Sequence, residues 1–129
     1  MTVAVLDASA LLAMLKAEPG GARVAEMLTE SRMSAVNHAE TVSHFVHRGI
    51  PLEEVEATLL PLPIEIIPAD RALATLAGSL RAVTADAGLS LGDRFCLAQA
   101  LRDGLPAWTA DRSWADVADA VGVDVVLIR

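Results

Sequence analysis

Apolar positions along the chain fall into short continuous runs separated by longer segments with helical spacing. The first run, Val3-Ala4-Val5-Leu6, stops on Asp7. A stretch of that length bounded by a polar residue predicts a buried strand over residues 2–6. Leu11, Leu12 and Leu15 then share one face of a helix predicted over 9–16, closed by Pro19-Gly20-Gly21. A second helix follows over 22–29, then an extended piece over 32–36. Asn37 and Glu40 have the spacing of a capping box, which predicts a helix over 38–48 with Gly49 and Pro51 beyond its end. The helix over 52–60 carries Glu53, Glu54 and Glu56 near its start, as the macrodipole favours.

Ile64-Glu65-Ile66-Ile67 reads as a β-branched strand stopped by Pro68. An Ala/Leu-rich pattern predicts one long helix over 69–87, ended by Gly88. Ser90 and Asp93 repeat the capping-box spacing and open a helix that runs to Asp103 and ends at Gly104. A strand over 105–109, a helix capped by Asp111 and reaching 121, and a last strand over 123–128 complete the chain. Strands alternate with helices across connections long enough for crossovers. The fold class expected is therefore α/β: one domain over residues 1–129, with a central, mostly parallel sheet flanked by helices on both faces.

Composition narrows the possibilities. Aromatics are only 3% of the chain, so few rings are available to stack bases. The net charge of -7 argues against nucleic-acid binding by bulk electrostatics. Any nucleic acid would need a metal ion to offset the acids, and local basic contacts. Lys16 is the only lysine, and the other basic residues are arginines, which suit planar phosphate recognition. A single cysteine, Cys96, excludes an internal disulfide and a cysteine-based zinc site. No apolar stretch reads as a signal peptide or a membrane span, so a reducing cytoplasmic setting is expected.

Four acids carry the candidate chemistry: Asp7 and Asp111 after strands, Glu40 and Asp93 in the first turns of helices. Each has an ordinary explanation as a helix cap. A parallel sheet, however, puts the carboxyl ends of its strands and the starts of the following helices on one edge. Four carboxylates gathered there repel one another unless protonated or neutralised. Oxygen ligands without cysteine suit a hard cation, Mg²⁺ or Mn²⁺, and such a site can orient water for attack at phosphorus. Ser9 and Thr109 place hydroxyls beside Asp7 and Asp111; a plain turn or cap role is the alternative.

The segments Val5-Leu6-Asp7-Ala8-Ser9-Ala10-Leu11, Ser34-Ala35-Val36-Asn37-His38-Ala39-Glu40, Gly88-Leu89-Ser90-Leu91-Gly92-Asp93-Arg94 and Thr109-Ala110-Asp111-Arg112 occur in that order. In that order and spacing they resemble PIN-domain ribonucleases of the VapC toxin type, over nearly the whole chain. The resemblance implies a PIN-like three-layer fold and a Mg²⁺- or Mn²⁺-dependent endoribonuclease whose acidic quartet falls on Asp7, Glu40, Asp93 and Asp111. It also implies an RNA substrate, a cognate VapB-type antitoxin and a homodimer. A further acid found in some members is absent, because position 113 is Ser113. Asp116 lies a turn further on and reads as a solvated helix residue.

Other residues are ambiguous. His44 and His47 mimic a His-x-x-His metal pair but also suit an exposed helix face. Cys96 has no visible His partner and reads as core, as do Phe95 and Trp114. Arg94 and Arg112 follow proposed ligand acids and could contact RNA phosphates or pair with neighbouring carboxylates. Two other functional classes stay open: a non-catalytic interaction module whose acids are caps, and another phosphoryl-transfer enzyme. Against the latter, a dehalogenase-type phosphatase would want an acid at Ser9, and a receiver domain a late lysine.

Overall fold

The computed structural model describes residues 2–129. Five strands form one parallel sheet in the order β3-β2-β1-β4-β5: β1 (Ala4–Leu6), β2 (Ser31–Ser34), β3 (Glu65–Ile67), β4 (Ala107–Thr109) and β5 (Val125–Leu127). The helices are α1 (Ala8–Leu15), α2 (Gly21–Glu26), α3 (Ala35–His47), α4 (Leu52–Leu59), α5 (Arg71–Ser79), α6 (Arg81–Thr84), α7 (Leu91–Asp103) and α8 (Ala118–Val121).

The alternation that makes three layers is visible in β1 itself. Ala4, Val5 and Leu6 are all fully buried. Val5 packs with Leu73, Phe95, Leu97 and Trp114 on the α5–α7 side. Ala4 and Leu6 pack with Leu11, Val24, Met33 and Leu59 on the α1–α4 side. Successive strand residues point to opposite faces, so an apolar run with no polar alternation is what a sheet covered on both sides requires. Phe95, Cys96 and Trp114 are core residues, as expected.

Strand order reverses between β1 and β4, because β2 follows β1 outward on one side and β4 lies on the other. In open α/β sheets such a switch point opens a crevice at the carboxyl ends of the strands. Asp7 directly follows β1 at this crevice, and Thr109 ends β4.

Three expectations are corrected. The helix after β2 starts at Ala35, and Ser34, not Asn37, caps it by accepting from the Val36 amide at 3.2 Å. The predicted long helix over 69–87 is broken into α5, α6 and a 3₁₀ turn over Ala85–Ala87. Ser79 Oγ bonds the Leu76 carbonyl at 2.7 Å and Thr84 Oγ1 the Leu80 carbonyl at 2.9 Å. Hydroxyls that bond back onto a helix in this way bend it. The segment after Asp111 opens as a 3₁₀ turn, Arg112–Asp116, before the short α8. The capping box at Ser90 and Asp93 is present, and Gly104 closes α7 in the left-handed conformation.

Candidate active site

Asp7 is the N-cap of α1 and is 4% exposed. Its Oδ1 accepts from the Ala10 amide at 2.8 Å, and its Oδ2 from Thr109 Oγ1 at 2.6 Å. Ser9 Oγ lies 2.8 and 2.9 Å from the two oxygens. Both hydroxyls singled out in the sequence thus engage Asp7. Burial pushes its carboxyl up from the ordinary 3.8 to about 6, against the lowering effect of the bonds from Thr109, Ala10 and Ser9; the charge of Asp93 adds to the rise.

Asp93 stands in the first turn of α7, half-buried, with Oδ2 accepting from the Ser90 amide at 2.9 Å. Glu40 stands one turn into α3 and is open to solvent. Its Oε1 accepts from Asn37 Nδ2 at 2.7 Å. The Glu40 carboxyl is also pushed up, first by partial desolvation and then by Asp93, while the Asn37 bond opposes this. A Cβ built on Gly92 would fall inside the Glu40 carboxylate. Only glycine at 92 lets α3 bring that acid against the start of α7. Gly92→Ala is therefore expected to displace Glu40 and lower activity about 10- to 100-fold. The clashing atoms are the tip of a flexible chain, so the urea midpoint should move little. An active Gly92→Ala enzyme would contradict this placement.

Asp111 sits beyond β4 and is exposed. Its Oδ1 accepts from the Ser113 amide at 2.9 Å and Ser113 Oγ at 2.7 Å. Its amide donates to Thr109 Oγ1 at 3.0 Å. Thr109 thus links the Asp7 carboxylate to the Asp111 backbone. Ser113 thus holds Asp111 through both its amide and its hydroxyl.

All four acids occupy the same sheet edge. The charge of Asp93 raises the carboxyls of both Asp7 and Glu40, and all three acids push up the buried Cys96 thiol, after the larger effect of burial itself. Among the described residues, no arginine, lysine or histidine nitrogen lies within 4.0 Å of any of the four carboxylates. Nor, among these residues, does any group of three or more His, Cys, Asp or Glu stand close enough to form a ready-made metal cluster. The donor chemistry nevertheless fits a hard cation: oxygens alone, a buried carboxylate held by three donors, and no basic side chain in competition.

His44 faces Lys16, with Nε2 3.4 Å from Nζ, and its pKa is lowered by desolvation and by Lys16 and Arg48. Its ring meets Phe45 edge-on. His47 is exposed, as is Asp116. Arg112 is exposed, whereas Arg94 is 8% exposed. Among the described residues, neither has a carboxylate partner within 4.0 Å, so pairing with neighbouring acids is not what holds them. Sequence reasoning missed Gly92; its signal was a small residue directly before an acid in a helix's first turn.

The PIN domain profile matches residues 4–120. The chain belongs to the PIN-domain family. Solved structures of similar fold include the DNA-bound VapBC of Salmonella typhimurium, with a TM-score of 0.73, 18% identity and 100% of both chains covered. A toxin–antitoxin complex from Klebsiella pneumoniae has a TM-score of 0.73 at 18% identity, covering 98% of each chain. Mycobacterium tuberculosis VapC20, a sarcin–ricin loop cleaving toxin, has a TM-score of 0.71 at 16% identity, covering 88% of this chain and 93% of its own. No curated protein sequence matches the chain. The sheet order and the acidic edge of this PIN domain thus come with neighbours that are VapC-type toxins, and the three-layer α/β expectation holds. No helix among the described residues is long and apolar enough to cross a membrane.

Proposed function

We propose that this PIN domain is a metal-dependent endoribonuclease and the toxin of a toxin–antitoxin pair. The observation that carries this reading is four carboxylates on one sheet edge with, among the described residues, no basic side-chain nitrogen within 4.0 Å of them. Uncompensated acids at a switch point are costly to keep, and a cation or a substrate-bound cation explains why they are kept. Asp7, Asp93 and Asp111 would hold Mg²⁺ or Mn²⁺, with Glu40 joining directly or through water. When bound, the cation supplies positive charge against the scissile phosphate and lowers the pKa of water poised to attack it.

The residues do the positioning. Ser9, Thr109 and the Ala10 amide fix the Asp7 oxygens. Thr109 ties that carboxylate to the Asp111 segment across the β1–β4 crevice, and the capping box fixes Asp93. Arg112, which is exposed, is the candidate for RNA contact; Arg94, expected beside it, is buried and does not present its guanidinium at the rim. The substrate is RNA, the inhibiting partner a VapB-type antitoxin, the assembly a homodimer, and the compartment the cytoplasm. Solved neighbours crystallised with antitoxin and DNA support the partner assignment.

The test is direct. The purified chain is incubated with total cellular RNA and Mn²⁺, and the cut ends are mapped. Discrete cleavage is expected, abolished by EDTA, restored by excess Mn²⁺ and absent in Asp93→Asn. RNA left intact with Mn²⁺, or cut equally well in EDTA, would rule the proposal out.

A further inference from the structure

Asn37 is 1% exposed and lies inside α3, one turn before Glu40. Its Nδ2 donates twice: to Glu40 Oε1 at 2.7 Å and to the Gly92 carbonyl at 3.0 Å. Its Oδ1 is buried and, among the described residues, has no hydrogen-bond partner. The amide cannot be turned over, because Oδ1 would then face a carboxylate oxygen and a carbonyl oxygen, three acceptors with no donor. The orientation is therefore fixed by its partners, and it strands one acceptor in the interior, which is unfavourable for folding. A leucine has the same branched shape and no polar atom of its own to strand, but it takes the donor away from both Glu40 Oε1 and the Gly92 carbonyl. The asparagine thus joins acceptors on two helices at the expense of its own oxygen.

We infer that Asn37 is a positioning residue for the nuclease centre: it pins the Glu40 carboxylate against Gly92 and so fixes its place relative to Asp93. The inference rests on the nuclease reading above. Glu40 projects from α3 and Asp93 from α7, and both are acids that repel each other. The neutral amide gives one acid a donor while gripping the backbone beside the other. Two bonds from one nitrogen thus tie the spacing of the acids to the packing of two helices. Partners that orient ligands in this way contribute heavily to metal affinity without touching the metal.

A double-mutant cycle with a metal readout tests this. Mn²⁺ affinity of the full chain is measured by calorimetry and RNA cleavage by single-turnover rate, in wild type, Asn37→Leu, Glu40→Gln and the double variant. Asn37→Leu is expected to weaken Mn²⁺ binding and slow cleavage about 10- to 100-fold, in a chain that still unfolds cooperatively in urea. In the Glu40→Gln background the same substitution should change neither quantity. If Asn37→Leu does not fold, Asn37→Ala replaces it in the same cycle. Equal losses in both backgrounds would mean a general packing role and overturn the inference, as would full activity and affinity in the single variant. A wild-type chain that neither binds Mn²⁺ nor cuts RNA would overturn the nuclease reading first and this inference with it.

Discussion

Asp7→Asn should abolish cleavage while making the metal-free protein more stable. The two effects have one cause. Asp7 is buried, and its carboxyl titrates at about 6 in the folded chain against 3.8 ordinarily. A raised acid pKa means that the folded state holds the proton more tightly than the unfolded state. The contribution to stability is complete below about pH 4 and is lost as pH rises through about 6. At pH 7.5 the native state therefore carries an ionised group that it would rather keep neutral, at a cost of up to about 3 kcal/mol. Asparagine removes that charge. It keeps an oxygen for the Ala10 amide, and its NH₂ can donate to Thr109 Oγ1, whose hydroxyl rotates to accept.

The melting temperature of Asp7→Asn in EDTA at pH 7.5 should rise by roughly 5–10 °C, and the gain should vanish near pH 4. Cleavage should fall more than about 100-fold, beyond what is typical for residues one shell further from the metal. A variant that loses activity and also melts lower would indicate that the Asp7 carboxylate is chiefly a helix cap. The opposite signs are the mark of a group kept for function at the expense of folding.

That Asp7 could be found from sequence at all reflects how local its signal is. An apolar run that ends on an acid and then a hydroxyl describes a strand end whatever the remaining chain does. Ser90 and Asp93 are equally local, because both halves of their capping box lie within four residues. Asn37 and Glu40 show the limit of the same logic. Their three-residue spacing fits a capping box, but it also fits two side chains on one helix face, one turn apart. Ser34, three residues earlier, takes the cap, and Asn37 moves inside the helix, where it meets Gly92. That contact spans 55 positions and has no trace in local spacing. The break of the 69–87 segment was hidden for a related reason: Gly78, Ser79 and Thr84 are weak breakers singly, and their effect depends on hydroxyls turned back onto the helix.

Metal binding should offset the loss of stability that ionisation of Asp7 brings as pH rises. In EDTA, stability falls between about pH 4 and 6 as Asp7 ionises, with Glu40 shifted in the same direction. A cation binds the ionised form and competes with the proton. Affinity for Mn²⁺ should therefore be nearly flat above pH 6 and drop about tenfold per unit below it, for as long as Asp7 alone titrates. At a free Mn²⁺ concentration of 100 times the dissociation constant, the native state gains about 2.7 kcal/mol. That gain is close to the cost of the buried charge, so the ion and the proton are alternative ways of making Asp7 tolerable. Thermal melts with EDTA and with fixed Mn²⁺, taken from pH 4.5 to 7.5, should diverge progressively through pH 6. Cleavage rates at subsaturating Mn²⁺ should follow the size of that divergence. In Asp7→Asn the divergence should lose its step at pH 6. Parallel melting curves at every pH would mean that no ion competes for this carboxylate, and the acids would then be caps that happen to share an edge.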